Sequence, residues 1–161
     1  MLYRYIFSFI KEVEMLIYNK IRDVKDPVRA HRTDAGIDLF IPNDFKEITL
    51  KIGDSVLIPS GIRIKLPENT AGIFFNKSSI AKKGIIFGAT LVDEGYNGEI
   101  HIHLIKVSGE PVTIKAGDKV AQLVVMPVLY TRLVEYNNEQ YKYATLDSER
   151  QNKGFGSTGD K

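Results

Sequence analysis

From Met15 onward the apolar residues fall in short runs broken by Gly, Pro, Asn and Asp, and no segment holds a helical period for three turns. This pattern predicts an all-β domain. Strands are expected at 16–18, 48–50, 54–58 and 61–66, the last alternating Ile62, Ile64 and Leu66 with Arg63 and Lys65, while Pro59 and Pro67 punctuate the series. Ile73-Phe74-Phe75 then runs into 76–84, the one place for a short helix, with Ser78 and Ser79 near its start. Residues 111–115 lead through a tight turn at 116–119 into the apolar run 120–127. The stretch 133–148, polar with scattered tyrosines, reads as a connecting strand and loop.

Polar residues that interrupt apolar runs are the first candidates for chemistry. Asp38 stands alone in 35–42, and a carboxylate there needs partners, because burying it unpaired is costly. It ties loops together through backbone N–H groups, or it faces a substrate or metal. Gln122 is the one polar side chain in 120–127; its amide is satisfied by neighbouring backbone or points into a site. The segment 88–100 is an apolar run that turns through an acidic, glycine-flanked corner. Leu91-Val92 is expected to enter as a strand, Glu94-Gly95 to turn, and 99–104 to leave as a strand, a hairpin with Asp93 beside its tip. A carboxylate held there by backbone on both sides and open to a ligand suits a base that orients a water. The alternative is an ordinary acidic turn.

Composition narrows the field. A chain of 161 residues, 43% of them hydrophobic, supports one domain with a real core. With 22 basic against 20 acidic residues, the net charge of +2 gives no bulk field for nucleic acid, so no nucleic-acid partner is expected. The absence of cysteine excludes disulfides, thiolate metal sites and a cysteine nucleophile, and fits a reducing, cytoplasmic location. Residues 1–14 are apolar and aromatic, too short for a membrane span and without a secretory cleavage site, so no membrane partner is expected. They are read as an N-terminal extension or as sequence upstream of a start at Met15, before a β domain at 15–148 and an arm at 149–161.

Two segments have the makings of phosphate sites. Lys77 with Ser78 and Ser79 places hydroxyls and free N–H groups beside a cation; plain N-capping of a surface helix is the other reading. The arm carries Arg150 and Lys153 for charge, Ser157 and Thr158 for donors, and glycines that let backbone close on a ligand. Phe155, between Gly154 and Gly156, is suited to stack on a planar ring; a frayed tail is the other reading.

In order, Ala-Gly-Ile-Asp-Leu at 35–39, Lys-Ser-Ser-Ile-Ala at 77–81, Val-Asp-Glu-Gly-Tyr-Asn-Gly-Glu at 92–99, Gly-Asp-Lys-Val-Ala-Gln-Leu at 117–123 and Gly-Phe-Gly-Ser-Thr-Gly at 154–159 resemble the five motifs of the trimeric dUTP diphosphatases (dUTPases). The resemblance implies a distorted jelly-roll-like (β-clip) domain. It implies a homotrimer with active sites between subunits, a C-terminal arm closing each one, and Mg²⁺ held largely through phosphate oxygens and water, with Asp38 available to it through water. It further implies hydrolysis of dUTP to dUMP and pyrophosphate, which removes dUTP and supplies dUMP for dTMP synthesis. By the same resemblance, Asp93 activates the water that attacks the α-phosphorus, Tyr96 packs under the deoxyribose, and the backbone of Thr90, Leu91 and Val92 reads the uracil edge. Lys77, Ser78 and Ser79 take the phosphates, Gln122 lies near the α-phosphate, and Arg150, Phe155, Gly156, Ser157 and Thr158 form the closing arm. His101 falls to a structural or phosphate-facing role.

Three features depart from the family pattern. Lys77 stands where Arg is usual, exchanging a bidentate fork for a point charge. Gly95 stands where a second Asp is usual, and the segment 84–93 is short. The last two lean toward the related dCTP deaminases, but His103 occupies the place of their catalytic Glu. A dCTP deaminase, alone or bifunctional, and a catalytically weak nucleotide-binding regulatory module are therefore the rival expectations.

Overall fold

A computed structural model describes residues 15–146 of the chain. Within it, residues up to Leu129 and those from Tyr130 onward form two compact units. The first unit carries eleven strands and one helical turn: β1 (Ile17–Lys20), β2 (Ile37–Phe40), β3 (Ile48–Leu50), β4 (Ser55–Pro59), β5 (Ile62–Lys65), β6 (Thr70–Asn76), α1 (Ser78–Ala81), β7 (Ile85–Phe87), β8 (Leu91–Val92), β9 (His101–Lys106), β10 (Val112–Ile114) and β11 (Lys119–Pro127). All pairings are antiparallel. A four-stranded sheet runs β2-β11-β6-β8, a three-stranded sheet runs β4-β9-β7, and β1-β5 and β3-β10 form separate ribbons. This is the all-β architecture that the strand pattern predicts, jelly-roll-like as the family resemblance implies.

Period-two alternation sets the core. Along β9, Ile102 and Leu104 are fully buried while His101, His103 and Ile105 face outward. Ile58, Leu39 and Leu123 join them from β4, β2 and β11. Each such side chain contributes roughly 1.5–3 kcal/mol on leaving water, which fixes the register of every strand that carries one.

Two local expectations are corrected. Strands β8 and β9 do not form a hairpin: β8 pairs with β6, through Gly72 opposite Val92 and Ile73 opposite Leu91, whereas β9 pairs with β4 and β7. Segment 93–100 is a crossing between two sheets. Val92 and Ile100 are both buried in the common core, but Val92 belongs to β8 beside β6 whereas the Ile100 backbone bonds to Ile62 and Ser60, so the two sides of the corner take different backbone partners. The stretch read as strand and loop contains α2 (Asn138–Ala144) in the second unit. Its start is a capping box, in which the Asn137 side chain accepts from the Gln140 N–H and the Gln140 side chain accepts from the Asn137 N–H. No side chain of α2 is buried, so local capping rather than an apolar stripe marks it. No helix among the described residues is long and apolar enough to cross a membrane.

Candidate active site

The most buried acidic group among the described residues, Asp38 on β2, is 4% exposed. Its Oδ1 accepts from Lys77 Nζ at 2.5 Å and its Oδ2 from Lys119 Nζ at 2.9 Å. Burial penalises the charged carboxylate, but hydrogen bonds from Lys77 and Lys119 outweigh it, and the pKa of Asp38 lies below its ordinary value. Two ammonium groups on one carboxylate leave a local positive excess.

A bulge explains how these groups meet. Lys119 pairs with Phe40 and Ala121 with Leu39, so Val120 is an extra residue and Gln122 falls opposite Asp38. Lys119 and Gln122 are three apart and would lie on opposite faces of a regular strand. The bulge puts both on the face shared by Asp38 and Phe40. Lys119 and Lys25 also lie against the Phe40 ring, 5.6 and 5.4 Å from its centroid.

Asp38, Lys77 and Gln122 border an open cleft of about 800 Å³, whose lining also includes Asp34, Gly36, Asn76 and Thr90. Gln122 realises both readings of its sequence position: Nε2 donates to the Asn76 carbonyl at 2.9 Å, and the side chain borders the cleft. Its packing depends on Gly36, where a Cβ would fall 2.6 Å from Gln122 Oε1. Arg29 shapes the preceding loop by donating to the carbonyls of Asp34 and Ala35 at 2.5 and 2.7 Å.

Asp93 lies in a second, smaller depression of about 170 Å³, with Leu91, Val92, Tyr96 and His101. The turn is closed by the Tyr96 N–H donating to the Asp93 carbonyl at 3.0 Å. Tyr96 donates its O–H to the Glu99 carbonyl at 2.7 Å, and its ring lies so close over Gly98 that a Cβ there would meet the ring at 2.6 Å. The same carbonyl lies 3.0 Å from His101 Nδ1. Glu99 itself is tied down by Arg22 Nε at 2.7 Å and the Gly61 N–H at 2.8 Å. The Arg22 bond, assisted by Gly61 and opposed by burial, holds the Glu99 carboxyl below the usual range.

The two depressions share a single lining residue, Phe74. One chain therefore brings Lys77, Thr90, Gln122 and Asp38 to one cleft and Asp93, Leu91, Val92, Tyr96 and His101 to another. Ser78 and Ser79 open α1, immediately after Lys77, and are exposed; Lys77 occupies the cap position but makes no side-chain cap bond. Arg150, Phe155, Gly156, Ser157 and Thr158 lie outside the described residues. Among the described residues, no three His, Asp or Glu side chains gather into a metal-sized group.

Lys119, Gly36, Arg22 and Glu99 escaped the sequence reading as contributors to these depressions. The motif at 117–123 contains Lys119, but only the bulged register shows that it reaches Asp38.

A protein-family model described as dUTPase matches residues 22–159. A deoxyuridine 5'-triphosphate nucleotidohydrolase from Clostridium kluyveri is 37% identical, with 91% of this chain and 99% of that protein covered. The Pol polyprotein of equine infectious anemia virus is 34% identical over 93% of this chain, which spans only 12% of the polyprotein's length. Among solved structures, a native EIAV dUTPase superposes with a TM-score of 0.64 at 29% identity, covering 77% of this chain and 98% of that one. A Staphylococcus bacteriophage 80alpha dUTPase reaches a TM-score of 0.76 over 91% and 99%, and at 23% identity it speaks to the fold alone.

Proposed function

Because this chain belongs to the dUTPase family, we propose that it hydrolyses dUTP to dUMP and pyrophosphate, with Asp93 as the base that activates the attacking water. Phosphoryl chemistry of this kind needs alignment and charge neutralisation more than a covalent nucleophile. Asp93 takes a proton from water as its oxygen attacks the α-phosphorus, the bond to the β-phosphate bridging oxygen breaks, and pyrophosphate leaves. Tyr96 carries the deoxyribose, with its ring held flat over Gly98 and its hydroxyl anchored. Backbone groups of Thr90, Leu91 and Val92 meet the uracil edge, and the buried swap of donor and acceptor disfavours cytosine.

The observation that carries this reading is the division of labour between the depressions. The larger cleft, lined by Lys77, Asn76 and Gln122 and by Asp38 with Lys119 bound to it, suits a triphosphate; the aromatic depression that holds Asp93 and Tyr96 suits a nucleoside. In one chain the two depressions have only Phe74 as a common lining residue, and we read the complete site as drawing on more than one copy, in a homotrimer with the arm of Arg150, Phe155, Gly156, Ser157 and Thr158 closing over the ligand. Ser78 and Ser79 add donors beside Lys77.

Mg²⁺ fits this arrangement as a passenger on the triphosphate, because hard divalent cations of its size are often bound by phosphates, water and only one or two carboxylates. When bound it neutralises phosphate charge. Asp38 already holds two ammonium groups and is left to position them. A cytoplasmic location is consistent with the absence of cysteine.

Pyrophosphate release from dUTP, UTP, dTTP and dCTP, with and without Mg²⁺, tests the reading. Turnover of dUTP well above the others, dependent on Mg²⁺, is expected. Ammonia release from dCTP, or no turnover of any of the four, would overturn it.

A further inference from the structure

Arg22 lies 77 residues from Glu99 in sequence and in none of the five motifs, yet its guanidinium grips that carboxylate with Nε at 2.7 Å and Nη2 at 3.4 Å. Glu99 Oε1 also accepts the Gly61 N–H at 2.8 Å, so the side chain is held from two separate segments. Immediately past it, Ile100 is locked to β5 by its N–H to the Ile62 carbonyl and its carbonyl to the Ser60 N–H, both at 2.9 Å. The consequence falls on the Glu99 carbonyl, whose position these bonds fix. That oxygen accepts the Tyr96 O–H at 2.7 Å. The Tyr96 ring therefore has two constraints: Gly98 beneath it, where any Cβ would collide, and a pinned acceptor at its hydroxyl.

We propose that Arg22 is a specificity-determining positioning residue, which sets the height and tilt of the Tyr96 ring through Glu99 and thereby the preference for a deoxyribonucleotide over a ribonucleotide. The proposal rests on the dUTPase reading above and on Tyr96 as the sugar platform. A ring under a sugar excludes one extra hydroxyl only if it cannot retreat. Tyr96 is 44% exposed, so burial alone does not fix it, and the Arg22–Glu99 bond adds stiffness through the acceptor of its hydroxyl. The Asp93 turn itself closes through backbone and does not include Arg22.

The test is the ratio of kcat/KM for dUTP to that for UTP in the wild type, Arg22→Met, Arg22→Lys and Tyr96→Phe. Arg22→Met should lower the ratio about tenfold, mainly by raising turnover of UTP, and Arg22→Lys should recover part of it. Tyr96→Phe, which keeps the ring and loses its anchor, should lower the ratio similarly, and the double variant with Arg22→Met should fall short of the product of the two. Loss of folded protein scales both substrates alike and leaves the ratio unmoved. If Arg22→Met does not fold, Glu99→Gln weakens the same link at constant volume. An unchanged ratio in Arg22→Met or in Glu99→Gln overturns the proposal. Failure of the wild type to release pyrophosphate from dUTP would instead overturn the dUTPase reading itself, and this inference with it.

Discussion

Lys119 and Asp38 face each other across a bulged strand pair, with 2.9 Å between Nζ and Oδ2, and Lys77 closes on the other carboxylate oxygen from the end of β6. One buried acid thus fixes two cations, of which Lys77 lines the larger cleft. The pair with Lys119 joins β2 to β11, and the pair with Lys77 joins β2 to the start of α1. Asp38 therefore serves both the fold and the electrostatics of the cleft.

Asp38→Asn should lower stability near neutral pH by about 1–3 kcal/mol, less than for a fully buried pair because both lysines reach solvent. The folded pKa of Asp38 is depressed, so its contribution is complete above its unfolded value of about 3.9 and is lost as pH falls through the folded value. Urea midpoints of wild type and variant should accordingly converge in acid. An equal gap at about pH 7 and about pH 2 would trace the cost to packing rather than to the ion pairs.

Lys77→Met should raise KM for dUTP about tenfold with little change in kcat, since a point charge on the phosphates contributes binding more than chemistry. Lys77→Arg should lower KM by about threefold, because a guanidinium offers one edge to Asp38 and another to phosphate. Steady-state kinetics at fixed ionic strength checks both. A KM unmoved by Lys77→Met would assign the phosphate grip to other residues.

The sequence made the clearest strands legible through buried aliphatic residues at period two, as Ile62 and Ile64 in β5 and Ile102 and Leu104 in β9; the others are marked by short apolar runs between turn residues. It also exposed Asp38 and Gln122 as lone polar groups in apolar runs. What it hid was pairing. Leu91-Val92 and 101–106 are separated by a turn and look like hairpin partners, but nothing in their composition says that β6 and β4 are the better partners. The bulge at Val120 is equally silent, since an apolar residue there is compatible with regular pairing, and yet it decides that Lys119 shares a face with Gln122. The helix at Asn138–Ala144 was missed for another reason: it buries nothing, so no apolar stripe announces it, and its capping box was the signal to read.

Asp93→Asn should cut pyrophosphate release from dUTP at least about a hundredfold, because the amide keeps the size of the carboxylate and loses its basicity. The turn is held by the Asp93 carbonyl rather than its side chain, so the unfolding midpoint should stay at the wild-type value. Binding of a non-hydrolysable dUTP analogue should likewise survive. A variant that turns over normally would place the base elsewhere.

Gly36→Ala separates the geometry of Gln122 from the stability of the sheet. A methyl at Gly36 would stand 2.6 Å from Gln122 Oε1 and 3.0 Å from its Cβ, so the amide must swing away and give up its 2.9 Å bond to the Asn76 carbonyl. Gly36 precedes β2 and Gln122 pairs with Asp38 within it, so the clash reaches the strand that carries the buried acid. The expected cost is about 1–3 kcal/mol of stability, as for other insertions into packed space. Turnover of dUTP should fall about tenfold through misplacement of the amide at the phosphate end of the site. Shortening the obstructed side chain in the double variant Gly36→Ala/Gln122→Ala removes the 2.6 Å contact with Oε1 and leaves only the tight 3.0 Å approach to Cβ. Its urea midpoint should recover toward that of Gln122→Ala alone, while its turnover remains low. Were turnover to recover along with stability, Gln122 would be a packing residue, and its place beside the cleft would have no part in the chemistry.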